Sequence, residues 1–211
     1  MTYTFKESQD RVQSAREFMF QNRHEYSDPY NNVHGTTTEK CVSENYGINW
    51  MNPNTRAPID FPKDKIMEST LPSFVKDHEG HGLEQKAIND KKLSNVKLGD
   101  AGINADMLES GGYILGGFIF SDQPENVHTI QFWRLEAEKR DILAMEFSKE
   151  IRAYMKDQSN SIADIRARVR EMNIALRNCN SRFSLTDCST TASNKRCVQL
   201  ILKTGSGYFD W

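Results

Sequence analysis

The densest group of reactive side chains in this sequence is Asp77-His78-Glu79-Gly80-His81-Gly82. Two imidazoles and two carboxylates within six residues could move protons or hold a metal. A zinc-protease helix needs H-E-x-x-H, which puts both histidines on one helical face. The spacing here is H-E-G-H, one residue short, and glycines oppose a helix. Zinc hydrolysis by that route is not expected. Cys41 is a second candidate, as a nucleophile in a polar segment with His34, His78 or His81 as a base. An inert thiol is the simpler reading. The other cysteines, Cys179, Cys188 and Cys197, form no C-x-x-C knuckle, so a structural zinc site is not expected and free thiols are. A hairpin could still join Cys188 to Cys197.

A wider pattern surrounds His81. Gly80-His81 is followed by Asn95 within Leu93-Ser94-Asn95-Val96 and by Asn104 within Gly102-Ile103-Asn104. This stretch resembles the ββα-metal endonucleases, the class that holds HNH and non-specific nucleases. The resemblance implies His81 as the general base, Asn95 as a residue that shapes the loop, and Asn104 as a ligand of one divalent metal. It spans residues 80–104 only. It lacks the expected glycine pair, has Lys97-Leu98 where a proline is usual, and has no basic residue closely after Asn104.

Other common chemistries are excluded. The chain has no G-x-G-x-x-G, no G-x-x-x-x-G-K-[ST] and no G-x-S-x-G elbow. The formal net charge of −2 gives no general pull toward nucleic acid or anionic lipid. Local basic groups remain at Lys195-Arg196 and at Arg166, Arg168 and Arg170, which read as a strand edge and a solvated helix face. No apolar run reaches the length of about 18 residues that a membrane span requires. The first residues carry no apolar signal core, so the expected location is cytoplasmic, with signal-independent export left open.

The elements that would position these residues follow from spacing. The 211 residues suffice for one domain, and 37% of them are hydrophobic and 27% charged. Ser8 caps a first helix over 8–26, with Val12, Ala15, Met19 and Tyr26 on one face. Residues 27–64 hold four prolines and many asparagines and read as an irregular arm. Residues 112–120 are an apolar, β-rich strand whose Gly116-Gly117 pair marks a bulge or a close backbone approach.

The strongest pattern follows. Ile130, Trp133, Ala137, Ala144, Phe147, Ile151 and Tyr154 predict one helix; Ile162, Ile165, Val169, Met172, Leu176 and Cys179 predict a second. A short polar link joins them, so the spacing predicts a long antiparallel helical hairpin over about 122–180. Period-two patterning returns after Asn180, with a turn over Thr190–Lys195. The expected architecture is therefore a single α+β domain over 1–211: an N-terminal helix, the helical hairpin as spine, and a small antiparallel sheet from 112–120 and 181–204.

The functional expectation rests on aromatic residues. Tyr30, Tyr46 and Trp50 lie on the arm, and Tyr208, Phe209 and Trp211 end the chain. Aromatics on segments with little capacity to fold alone suit a protein partner. The main expectation is a non-enzymatic protein-binding adaptor or assembly subunit without a cofactor. The alternative is a divalent-metal nuclease built on His81.

Overall fold

A computed structural model of the chain describes residues 2–3, 39, 42–43, 46–48, 58–89, 95–120 and 128–203. They fall into two compact units, one from Met1–Lys92 with Tyr113–Leu135 and one from Leu93–Gly112 with Glu136–Trp211.

The first unit is built on a mixed sheet. Its strands are β1 (Thr2–Tyr3), β2 (Phe61–Pro62), β3 (Gly82–Asn89), β5 (Tyr113–Phe120) and β6 (His128–Leu135), in the order β1-β6-β5-β3-β2. β3 and β5 run parallel, with Leu83 opposite Ile114 and Gln85 opposite Gly116; the other pairs are antiparallel. Parallel neighbours need a crossover. Here the chain leaves the sheet after β3, contributes a strand and a helix to the second unit, and returns as β5. Two single-turn helices, α1 (Lys63–Ile66) and α2 (Ser73–Lys76), lie between β2 and β3. Leu83 and Ile114 of the sheet meet Val42, Tyr46, Ile48, Phe61, Ile66, Leu71 and Val75 in one buried core. Lys63 ties the segment before β3 in place, its ammonium donating to the Lys76 and His78 carbonyls.

Two glycines set the sheet's spacing. Gly82 has φ +131°, and a Cβ there would lie 2.2 Å from the Phe61 carbonyl oxygen. Only glycine lets β2 come this close to β3. At Gly116 a Cβ would lie 2.5 Å from Gln85 Oε1 and 3.0 Å from Leu83 Cδ1, the close approach expected of the glycine pair.

The second unit holds the antiparallel sheet β4-β8-β7, from β4 (Asn95–Asp100), β7 (Phe183–Asp187) and β8 (Val198–Lys203). Its helices are α3 (Ala101–Glu109), α4 (Ile142–Lys156) and α5 (Ile162–Asn178). On α5 the buried residues are Ile162, Ile165, Val169, Met172 and Leu176, the stripe that the spacing predicts. Ser161 and Asp164 form a capping box at its start. Arg182 and Asp141, 1% and 0% exposed, form an ion pair in this unit's interior. The guanidinium also donates to the Glu136 carbonyl and pairs with Glu138 at 2.7 Å.

Several expectations are corrected. The long hairpin over 122–180 does not form. Residues His128–Leu135 are strand β6, paired along β5 from Ile119↔Thr129 to Tyr113↔Leu135, and the helix begins only at Ile142. Ile130 and Trp133 fit a helical step by coincidence, and pairing with β5 decides between the two periods. The expected sheet from 112–120 and 181–204 is likewise replaced: β5 belongs to the mixed sheet, while β7 and β8 pair with β4. Part of the 27–64 arm is core, since Tyr46, Ile48 and Phe61 are buried. Cys188 and Cys197 are not free thiols but a disulfide, because the β7–β8 register sets their Cα atoms 5.1 Å apart beside the Thr190–Lys195 turn. Cys179 is exposed at the α5 C-cap rather than packed. The expected helix over 8–26 and Cys41 lie outside the described residues.

Candidate active site

Strand β3 carries the unusual chemistry of the first unit. Alternation puts Leu83 on the face that meets the core, and Glu84 and Lys86 together on the opposite face. Asp60, just before β2, reaches the same place from the neighbouring strand. Its carboxylate accepts from the Gln85 backbone N–H at 2.7 Å, and its own N–H donates to the Glu84 carboxylate at 3.3 Å. Each carboxylate thus accepts from a backbone N–H of the other segment, a reciprocal clasp across a sequence separation of about two dozen residues. The Gly82 contact between β2 and β3 makes this possible.

Lys86 donates to Glu84 in an ion pair. Its side chain is 24% exposed and that of Glu84 9% exposed, so the group opens to solvent on one side. Glu39 completes the set electrostatically. Burial, and then the Asp60 carboxylate, push Glu39 up to about 8. Burial pushes Glu84 up to about 7 against the pull of Lys86, and Asp60 is raised by burial too. Burial works to lower the Lys86 pKa, but Glu84 and Asp60 overcome it and leave it above the ordinary lysine value.

The physical content is a charge imbalance. Three carboxylates share one lysine, and at neutral pH the group holds protons that solvent-exposed acids would lose. A small hard cation would remove the imbalance. Among the described residues no three His, Cys, Asp or Glu side chains converge as a complete metal cage. Magnesium-type ions do not need one, because they are commonly held by one or two carboxylates, with waters and phosphate oxygens filling the octahedron. Asp60 and Glu84, the carboxylates that act most strongly on Lys86, are the candidate pair. Lys86, held cationic, is a fixed positive charge beside it rather than a base.

The residues singled out from the sequence lie elsewhere. His81 is exposed at the entrance to β3. Asn95 opens β4, and Asn104 is buried in α3, where its amide donates to the Leu98 and Asp100 carbonyls at 3.1 and 3.0 Å. Those bonds hold the β-bulge of β4 against the start of α3. β3 and β4 belong to different sheets, so residues 80–104 do not form the hairpin and helix that the nuclease resemblance implies. Tyr46 is 3% exposed and meets Phe132 edge to face. Tyr30, Trp50, Tyr208, Phe209 and Trp211 lie outside the described residues.

Sequence reasoning missed Asp60, Glu84 and Lys86. The available signal was the Glu-x-Lys step inside a strand, which places an acid and an amine side by side on one face. No helix among the described residues is long and apolar enough to cross a membrane. Compared with known proteins, the chain matches no family model, no curated protein and no solved structure.

Proposed function

We propose that this chain is a divalent-metal-dependent phosphodiesterase whose centre is Asp60, Glu84 and Lys86, with Glu39 beside them. The observation that carries the reading is the Asp60–Glu84 clasp with a cationic lysine on the same sheet face. In this reading the two carboxylates would hold magnesium or manganese. When bound, that metal would polarise the phosphoryl group and favour a nucleophilic water. Water attacks phosphorus; a new P–O bond forms as the ester P–O bond breaks. The water's proton passes to solvent, and the departing alkoxide collects one from solvent. The Lys86 ammonium offsets the negative charge that gathers on the phosphoryl oxygens. An anionic substrate uses both the metal and the lysine, which a neutral amide or glycoside would not.

The test is hydrolysis of bis(p-nitrophenyl) phosphate with magnesium or manganese by the full chain beside Asp60→Ala, Glu84→Ala and Lys86→Ala. Lys86→Ala is expected to lower kcat by about a hundredfold or more, and the carboxylate variants at least as much. A metal-dependent rate that all three variants retain overturns the assignment.

A protein-binding role, as an adaptor or assembly subunit in the cytoplasm, is the second reading. Met67 and Phe74 of the first unit favour it, being 51% and 45% exposed. The Cys188–Cys197 disulfide argues for an oxidising compartment instead.

A further inference from the structure

The second unit has a groove of about 550 Å³ between α5 and the edge strand β7. Among the described residues its lining contains the cations Arg170, Arg177 and Lys203 and no carboxylate. That asymmetry is local, because the other arginines of α5 are spent on acids. Arg166 pairs with Asp187 at 2.8 Å, and Arg168 pairs with Glu150 and Glu171. Arg170 and Arg177 are exposed and form no ion pair among the described residues. They stand seven positions apart, on one helical face and about 10 Å apart along the axis.

The groove floor is fixed. Asn173 donates to the Leu185 carbonyl and accepts from the Leu185 N–H, both at 2.8 Å. These bonds occupy the outward backbone groups at the middle of β7 and close that edge to an added peptide strand. Ile174, 52% exposed, gives the rim an apolar surface beside the cations.

We infer that this groove seats the sugar-phosphate backbone of a nucleic acid, with Arg170 and Arg177 on phosphates and Ile174 against the sugars. The inference rests on the phosphodiesterase reading and narrows its substrate from phosphodiesters in general to polynucleotides. A phosphate chain supplies closely spaced negative charge, matching two arginines on one helical face that form no ion pair among the described residues. A folded acidic protein would have to meet the same arginines with side chains placed singly.

The experiment is fluorescence anisotropy of the full chain with a labelled duplex and a labelled single strand, with EDTA to prevent cleavage, across a range of salt. The probes are wild type, the double variant Arg170→Glu/Arg177→Glu and the control Lys195→Glu, an exposed turn residue outside the groove. The double variant is expected to bind at least one of the two probes more than tenfold weaker, with a shallower salt dependence, while the control binds as wild type. Its hydrolysis of bis(p-nitrophenyl) phosphate is expected to remain at the wild-type rate. Unchanged polynucleotide binding in the double variant overturns the groove assignment, and so does equal weakening by the control. If wild type binds through the groove but hydrolyses no diester, the active-site reading fails and the groove stands.

Discussion

Glu84 is where the proposed chemistry and the stability of the fold oppose one another. Its ordinary value of 4.5 is raised to about 7 in the folded protein, chiefly by burial. The folded chain therefore keeps a proton that the unfolded chain releases. That linkage stabilises the fold fully below about 4.5 and is lost as pH climbs through about 7; Glu39 extends the window to about 8. The metal-free protein should accordingly melt at a lower temperature at about pH 8.5 than at about pH 6. Glu84→Gln should remove much of that difference and raise the Tm at the higher pH by about 2–4 °C, while abolishing diester hydrolysis. Magnesium should raise the wild-type Tm at the higher pH and leave the variant unmoved, a contrast that differential scanning fluorimetry reads directly. Arg182 gives a purely structural counterpart. Arg182→Ala would leave the fully buried Asp141 carboxylate with backbone N–H donors but no cation, so chemical denaturation should show a loss of about 3–5 kcal/mol.

At the scale of elements, β2 and β3 are positioned by a residue with no side chain. Gly82→Ala would force a Cβ against the Phe61 carbonyl at a φ that L-residues rarely adopt. A loss of about 2–3 kcal/mol is expected from backbone strain, together with loss of hydrolysis as Asp60 moves away from Gln85. Full activity in a stable Gly82→Ala protein would show that the β2–β3 spacing does not position the acids. The same elements show what spacing alone conveys. α5 was legible because its apolar steps are unbroken and its stripe has no other use. β5 was legible as a short apolar run, and the alternation after Asn180 correctly marked β7 and β8. β6 was not, because apolar residues lie on both of its faces and so also satisfy a helical step. β3 was hidden for a different reason. Its sequence, Gly-Leu-Glu-Gln-Lys-Ala-Ile-Asn, puts the polar Gln85 on the same face as Leu83, so three polar residues run together and the alternation that identifies a strand is broken. Gln85, whose backbone N–H holds the Asp60 carboxylate, is the residue that made the strand unreadable.

For the molecule as a whole, the chain order interleaves two units. The first gathers its core from the Pro-rich segment and from β3 and β5, and the second supplies the cystine hairpin, the buried Arg182–Asp141 pair and the basic groove. Net charge predicts none of this. A formal −2 hides a carboxylate-rich centre in one unit and, in the other, a groove whose described lining holds cations and no acid. Local distribution, not the sum, governs what each surface attracts. Sequence spacing could not anticipate that pairing of sites, because Asp60 and Glu84 meet only once β2 and β3 are formed, and Arg170 and Arg177 differ from Arg166 and Arg168 only in having no acid opposite. The central claim is that the Asp60–Glu84 clasp is a metal centre. Calorimetric titration of the full chain with manganese, at a pH above the raised Glu84 value, tests it most directly. The account predicts a saturable site whose apparent affinity rises with pH through about 7 and which is absent from Asp60→Asn and Glu84→Gln. No saturable binding by the wild type, or binding that both variants retain, would contradict it.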